Sequence, residues 1–309
     1  MAKIPRSAKV EAIDFAANSR KTRNMPLTVL AGLQFNLEVT HVNGTSGADN
    51  DLWGLLNMIK KIELVLDGQD NIVSVPGYFL YYMNYFDFSQ APFSSIYTVN
   101  SNTGTSKVST FLPFQFLRGV VPNDGLLDGR PLSSMVLNID WDTKTLDGAT
   151  SIDAASKLNI DTKEYSNVVN PDELRRSLAR HEYAFESVSL TKSGEIQIDV
   201  PTKGTNQYYR VFLITKNSSG ELANSIIDNI KFQTRSFVYM DKQADYVQKQ
   251  NQLEYAIQYV DGVYVIDFTT LGLMSERLDA RPLSELTLKV NSLVSSGSID
   301  IVYEKAVFA

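Results

Sequence analysis

Apolar and polar side chains alternate with a period of two along much of the chain. In LQFNLEV, residues 33–39, every second residue is apolar and the residues between are Gln34, Asn36 and Glu38. This alternation is typical of a half-buried antiparallel strand. Because Gly, Asn, Asp and Pro separate the stretches, the pattern favours a sandwich or barrel. Similar stretches recur at 62–68, 135–141, 157–161, 195–200, 210–216, 263–268, 286–290 and 298–304.

Helices are predicted at three places. The clearest is NPDELRRSLARHEY, residues 170–183, in which Asn170 caps the helix and Pro171 takes its first position. Because this segment lies near the midpoint of the chain, we interpret it as a linker helix between two domains. Two shorter helices are predicted after Asp51 and Pro76.

One seven-residue phrase occurs twice, and the similarity continues beyond it. LDGRPLSSMVLNI, residues 127–139, matches LDARPLSELTLKV, residues 278–290, and the apolar positions keep the same phase. A proline following a short turn suits the entry to a strand, because no ladder donor is lost there. We therefore interpret the phrase as a structural turn rather than a ligand site. Its predicted turn residues are Asp128, Arg130, Pro131, Asp279, Arg281 and Pro282.

Three weaker matches occur in the same order in both halves. They set residues 34–39 over 195–200, 55–61 over 226–232, and 157–161 over 298–302. The fold prediction is all-β: two tandem eight-stranded jelly-roll sandwiches, a double jelly roll, with a few short helices. The predicted domains are a basic N-terminal arm at 1–25, jelly roll 1 at 26–168, the linker helix at 169–186 and jelly roll 2 at 187–309.

The predicted helix GYFLYYMNYFDF, residues 77–88, is rich in aromatic side chains. Its counterpart is predicted to be 241–252, which is mostly polar, so the fold itself does not require the aromatic rings. We expect the rings to pack against the second jelly roll or a neighbouring subunit. The predicted interface aromatics are Tyr78, Phe79, Tyr81, Tyr82, Tyr85 and Phe86.

Charge is distributed unevenly along the chain. The net charge is −6, yet the first 25 residues carry six basic side chains against two acidic ones. A basic arm on an acidic body predicts contact with something anionic. The basic residues are Lys3, Arg6, Lys9, Arg20, Lys21 and Arg23.

Little in the sequence points to catalysis. There is no cysteine, and the two histidines, His41 and His181, lack metal-ligand spacing. No catalytic residue and no cofactor is predicted, although the carboxylates of residues 140–153 leave a weak structural Ca²⁺ site open. No apolar run is long enough for a membrane helix, and the start lacks a secretory signal, which predicts synthesis in a cytoplasm.

The paired jelly rolls, duplicated LDGRPLS and LDARPLS turns and basic arm resemble the double jelly-roll major capsid proteins of tail-less icosahedral viruses. The short loops are similar to those of the corticovirus and finnlakevirus coats of bacteriophages. This resemblance implies homotrimers that tile a virion capsid around an internal lipid membrane, beside neighbouring capsomers and minor capsid and penton proteins. It also implies that the six basic residues of the arm contact the membrane, and that no nucleic acid is bound sequence-specifically.

Two other functions compete with a capsid role. A carbohydrate-binding or carbohydrate-active protein would use Tyr78, Tyr81, Tyr82 and Tyr85 as a stacking platform. A cupin-like metalloenzyme is disfavoured by the number and spacing of the histidines.

Overall fold

The computed structural model describes residues 4–115, 125–142, 146–166, 179–202, 206–269 and 277–308. These residues form two compact units, unit 1 before residue 167 and unit 2 from residue 179 onward. Each unit contains two antiparallel sheets, as the alternating sequence pattern predicts.

Unit 1 contains eleven strands and two α-helices among its described residues. The helices are α1 (Leu52–Asn57) and α2 (Gly77–Phe88), and a 3-10 turn covers Gly47–Asp49. Asp51 caps α1 by accepting a hydrogen bond from the Gly54 amide at 2.7 Å. The strands are β1 (Ile4–Asp14), β2 (Arg20–Asn24), β3 (Val29–Asn43), β4 (Ile59–Leu66), β5 (Asp70–Val75), β6 (Ser94–Ser95), β7 (Thr103–Pro113), β8 (Leu127–Asp128), β9 (Met135–Trp141), β10 (Ala149–Ile152) and β11 (Lys157–Ser166).

Unit 2 contains nine strands and one α-helix in the part that the structure describes. The helix is α3 (Ala244–Tyr255), and a 3-10 turn covers Asn224–Ile226. The strands are β12 (Ala179–Ser189), β13 (Gly194–Asp199), β14 (Asn206–Lys216), β15 (Ile227–Gln233), β16 (Val238–Gln243), β17 (Val263–Asp267), β18 (Leu278–Asp279), β19 (Thr287–Ser292) and β20 (Ser298–Phe308).

The two units have the same strand order. In unit 1, sheet 1a runs β1-β11-β3-β7 and sheet 1b runs β2-β9-β4-β5. In unit 2, sheet 2a runs β12-β20-β14-β17 and sheet 2b runs β13-β19-β15-β16. The short strands β8 and β18 pair with β3 and β14 at matching places. Each unit is therefore an eight-stranded jelly roll, and the double jelly-roll prediction is confirmed.

The duplicated phrase leads into the core of each unit. Met135, Leu137 and Ile139 are buried in unit 1, and their counterparts Leu286, Leu288 and Val290 are buried in unit 2. The same apolar phase thus follows the turn in both halves, because a shift of one residue would expose these side chains.

The prediction of a linker helix at 169–186 is wrong at its C-terminal end. Residues 179–186 belong to strand β12, while 167–178 lie outside the described residues. Helix-starting signals at Asn170 and Pro171 suggested a continuous helix, but His181 and Tyr183 are buried on a strand that pairs with β20. Tertiary burial outweighs local propensity here.

The first 25 residues do not form a separate arm where the structure describes them. Strand β1 pairs with β11 and strand β2 with β9, so both belong to the sheets of unit 1. The arm was predicted from its basic residues alone. The alternation of Ala8 and Val10 with polar residues is instead typical of a strand.

Two of the weaker sequence matches need correction. Residues 34–39 lie on β3, whose counterpart is β14 rather than the 195–200 stretch on β13. The counterpart of Ile230 is Ile62 and not Ile59. Ile230 pairs with Val290 and Ile62 pairs with Ile139, and these two partners are equivalent in the repeat. Alternating strands resemble one another, so matches between short stretches slip easily. The match of β11 with β20 agrees with the strand order.

Candidate functional site

The repeated turn has the same geometry in both units. Arg130 donates from Nε to Oδ1 of Asp128 at 2.8 Å and from Nη2 to Oδ2 at 2.8 Å. Arg281 makes the same two bonds to Asp279 at 2.8 and 2.6 Å. Each aspartate also accepts the backbone amide of its arginine, at 3.1 and 3.0 Å. The hydrogen bonds from the arginines hold the pKa of both carboxyls below the usual range.

The one residue that differs inside the phrase has a steric explanation. A Cβ on Gly129 would lie 2.9 Å from the Thr28 carbonyl oxygen and 3.0 Å from Cε of Met135. In unit 2 the same position holds Ala280, whose methyl group is fully buried. Both units therefore have the same hydrogen bonds in the turn. The space beside Gly129 differs from the space beside Ala280.

A second duplicated device was missed by the sequence analysis. Asn84 of α2 donates to the carbonyl of Phe111 at 2.7 Å and accepts the amide of Phe111 at 2.6 Å. Asn251 of α3 makes the same pair of bonds with Val265, both at 2.8 Å. Both asparagines are buried, and they join α2 to strand β7 and α3 to strand β17.

The two helices are therefore structural counterparts. Each has twelve residues, carries its asparagine at the eighth position and ends at a left-handed residue, Ser89 or Ala256. The predicted counterpart of 77–88 at 241–252 was thus three residues too early. An isolated Asn among aromatic residues gives no signal; only the alignment of the two helices reveals it.

The aromatic residues predicted at an interface lie in the core of unit 1. Tyr78, Phe79, Tyr81, Tyr82 and Phe86 are buried, and Tyr85 is half-buried. Trp53 of α1 packs on Tyr78 with ring centroids 5.0 Å apart. Because the rings are already covered within the single chain, they offer little surface to a neighbouring subunit, while packing against the second jelly roll stays a prediction. The same burial removes these tyrosines as a platform for sugars.

The basic residues of β1 and β2 divide into two groups. Arg20 forms ion pairs with Asp140 at 2.7 Å and Glu63 at 2.6 Å, and Arg23 pairs with Glu11 at 2.5 Å. Both arginines are therefore engaged in ion pairs within unit 1. Arg6, Lys9 and Lys21 are exposed, while Lys3 lies outside the described residues.

A buried charge cluster lies in sheet 2a. Glu304 accepts hydrogen bonds from Arg210 and pairs with Nε2 of His181 at 2.9 Å. Burial alone raises the pKa of the Glu304 carboxyl, but the Arg210 charge and the His181 bond outweigh it and lower the pKa to about 2. His181 is therefore a strand residue with a carboxylate partner, and not the end of a helix.

The other histidine is also used structurally. His41 is buried, with Nδ1 2.7 Å from Oδ1 of Asn43 and Nε2 2.9 Å from Oγ of Ser106. Burial lowers the pKa of its imidazole. Across the described residues, no three His, Asp or Glu side chains are grouped as metal ligands. None of the described helices is long and apolar enough to cross a membrane.

Comparison with known proteins gives a consistent assignment. Residues 183–306 match the family model of the viral coat protein P2 C-terminal domain. The matched residues lie in unit 2, so that part of the chain is similar to a viral coat protein domain. The match supports the capsid function and the virion location that the sequence resemblance implied. No curated protein sequence matches the chain.

Solved capsid structures share the fold of this chain at low sequence identity. The MCP of STIV, Sulfolobus Turreted Icosahedral Virus, is 14% identical with a TM-score of 0.80, covering 99% of this chain and 97% of its own. The major capsid protein P2 of bacteriophage PM2 is 13% identical with a TM-score of 0.69, covering 99% and 98%. A PBCV-1 capsid chain is 9% identical with a TM-score of 0.64, covering 100% and 95%.

The chain exposes several large apolar side chains. In unit 1, Phe88 and Phe93 border a depression of about 520 Å³ beside Phe111. In unit 2, Phe237 and Val238 are exposed between β15 and β16, and Leu253 of α3 is 85% exposed. Grouped apolar side chains of this kind are typical of surfaces that contact another protein.

Proposed function

We propose that three copies of this capsid protein form a trimer of nearly hexagonal outline, and that such trimers tile an icosahedral shell around an internal lipid membrane. The duplicated jelly roll is the observation that carries this proposal. Three chains supply six similar units, so one protein can occupy six pseudo-equivalent places. The protein then acts through packing and has no enzymatic role.

The exposed apolar groups support contact between copies. Phe93 in unit 1 is 62% exposed and Phe237 in unit 2 is 59% exposed. A contact between unit 1 of one copy and unit 2 of the next is heterologous, and such contacts form a closed ring when the rotation between copies closes. The turn residues Asp128, Arg130, Pro131, Asp279, Arg281 and Pro282 belong to the scaffold of each unit and not to this contact.

The exposed basic residues support a contact with the membrane. Arg6, Lys9 and Lys21 remain candidates, together with Lys3, whereas Arg20 and Arg23 are used by ion pairs within unit 1. Each basic residue near an anionic lipid surface contributes roughly 1 kcal/mol. Minor capsid and penton proteins and neighbouring capsomers complete the proposed set of partners, and a bacteriophage is the proposed source, as for PM2.

Molar mass tests the trimer most directly. Light scattering on the purified chain should give three times the 34.5 kDa of one copy, and electron micrographs should show hexagonal capsomers or shells. Phe93→Asp and Phe237→Asp should each reduce the trimer fraction, while Lys192→Asp, at an exposed turn, should not. A wild-type protein that stays monomeric at every concentration contradicts the proposal.

Vesicle flotation tests the membrane contact separately. The variant with Arg6→Gln, Lys9→Gln and Lys21→Gln should bind vesicles containing phosphatidylserine about 100-fold more weakly, from roughly 1 kcal/mol per charge. Lys107→Gln, Lys192→Gln and Lys242→Gln together remove the same charge from exposed positions away from β1 and β2 and serve as the control. Equal losses in both variants would show that net charge alone matters.

A further inference from the structure

Unit 2 contains a polar depression of about 700 Å³ beside the first turn of α3. Strands β13, β19 and β15 form one side, and the start of α3 forms another. Beside apolar side chains such as Ile227 and Val290, its walls carry many amide and carboxylate groups. The principal ones are Asn224, Asn229, Gln248, Asn291, Asp228 and Asp245.

The same place in unit 1 is filled. There Trp53 of α1 packs against Tyr78 and Tyr82 of α2, with centroid distances of 5.0 and 6.4 Å. Alignment of the two helices sets Tyr78 over Asp245, and the described part of unit 2 has a 3-10 turn instead of α1 before β15. At this place unit 1 is closed by packed aromatic rings, whereas unit 2 has an open depression with polar groups in its walls.

A tyrosine is held in place at the rim. Asn224 donates to the Tyr259 hydroxyl at 2.5 Å. Oδ1 of Asn224 accepts from Nε2 of Gln248 at 2.7 Å and from the Gly262 amide at 2.6 Å. Gln248 is only 4% exposed, while Tyr259 is 47% exposed. A buried amide network thus fixes an accessible aromatic ring.

The charges around the depression are neutralised in pairs. Lys289 donates to Glu195 at 2.7 Å, and Lys231 lies 3.4 Å from Asp241. Asp228 accepts from Asn291 at 2.7 Å. Because the ammonium groups already have carboxylate partners, the depression lacks the free cations that a phosphate or sulfate ligand needs. Amide groups instead supply donors and acceptors together.

We infer that this depression binds an uncharged saccharide of one or two rings. Sugar hydroxyls donate and accept hydrogen bonds, as the amide side chains of the walls do. The apolar C–H face of the sugar ring packs on the Tyr259 ring, which combines an apolar body with a polar tip. The volume lies within the range of roughly 300–1,000 Å³ that small-molecule sites occupy. This inference is independent of the proposed trimer.

Saturation-transfer NMR on the full chain tests the inference. The probes are D-glucose, D-galactose, D-mannose and N-acetyl-D-glucosamine, with their β1-4-linked disaccharides. At least one should bind with a Kd of about 1 mM or below, corresponding to roughly −4.1 kcal/mol. Asp245→Tyr, which brings in the residue found at this place in unit 1, and Tyr259→Ala should each weaken binding at least tenfold.

Tyr246→Ala is the matched control, because Tyr246 is an exposed tyrosine on α3 that does not line the depression. It should bind the sugar like the wild type. Asn291→Ala provides a third variant if Asp245→Tyr fails to fold, as judged by circular dichroism. The inference is overturned if the wild type binds none of the probes, or if the depression variants bind as well as Tyr246→Ala. Molar mass measured on the same samples reports the trimer separately.

Discussion

Helices α2 and α3 occupy the same place in the two units and share almost none of their side chains. Both are anchored by a buried asparagine, Asn84 or Asn251, and both end in a left-handed residue. One is surrounded by aromatic rings, and the other exposes Leu253 and Tyr246. The jelly roll therefore requires the anchor and the helix end, and leaves the remaining positions free for other uses.

Sheets 1a and 2a differ in a related way. On β3 of sheet 1a, the residues between the core positions, Gln34, Asn36 and Glu38, are half-buried. On β14 of sheet 2a, ten consecutive residues are buried, including Arg210, and Glu304 of β20 is buried beside it. Unit 2 thus encloses charges on a face that unit 1 leaves polar and partly open.

Removing the charge cluster should produce the largest effect. Glu304→Ala leaves Arg210 buried without its carboxylate, which should lower the free energy of unfolding by about 3–5 kcal/mol. Urea unfolding should show the loss in unit 2, and Glu38→Ala on sheet 1a is the matched change. Similar losses in the two variants would remove the distinction between the sheets.

The same cluster predicts a dependence on pH. The folded pKa of Glu304, about 2, lies below the unfolded value of about 4.3. Its contribution to stability is therefore complete above pH of about 4.3 and is lost as pH falls toward 2. In wild type the urea midpoint should fall over this window, and the Glu304→Ala profile should be flatter. Parallel profiles would contradict this assignment.

The paired asparagines test what the units share. Asn84→Ala and Asn251→Ala each leave one amide and one carbonyl of the next strand without a partner. Each should cost about 1–3 kcal/mol, measured by thermal or urea unfolding. Asn102→Ala, on a surface turn, is the control. A loss in only one unit would mean that the anchor is not a common requirement.

The single difference within the repeated phrase predicts a smaller, asymmetric effect. Gly129→Ala places a methyl 2.9 Å from the Thr28 carbonyl oxygen and should destabilise by about 1–3 kcal/mol. Ala280→Gly removes a buried methyl and should cost about 1 kcal/mol. Melting temperatures of the two variants give the comparison; an unchanged Gly129→Ala variant would show that the backbone yields easily.

The turn arginines should have the smallest effects. Arg130→Ala and Arg281→Ala each remove an exposed bidentate pair while the aspartate keeps its bond to the backbone amide. Both should lower the yield of folded trimer slightly and to similar extents, as measured by size-exclusion chromatography. Loss of a ligand with normal assembly would instead make the turns binding sites.

The fold could be predicted from the sequence because alternation fixes both the strands and their buried faces. The phrase LDGRPLS and its copy gave the correct pairing of halves through Met135 and Leu286. The remaining failures share a cause: burial of a polar or aromatic residue depends on distant partners. His181 needs Glu304, and Tyr78 needs Trp53, and neither partner is indicated by local sequence.

The depression of unit 2 was out of reach for the same reason. Tyr259 and Asn224 are far apart in the sequence and meet only through the strand connections. The sequence analysis considered a sugar platform only on the tyrosines of α2, as an alternative to their burial. The depression of unit 2 emerges only from the structural alignment of α2 with α3.

The pairing of first and last strands sets the order in which the chain can be completed during synthesis. Strand β1 needs β11, and strand β12 needs β20, which ends at Phe308. At about 5–20 residues per second, unit 1 can close several seconds before the last strand of unit 2 leaves the ribosome. A chain shortened by its final strand would expose the edges of β12 and β14, and open edges promote aggregation. Only chains that include β20 could then fold completely and assemble. The strand order would in this way exclude truncated subunits from a shell.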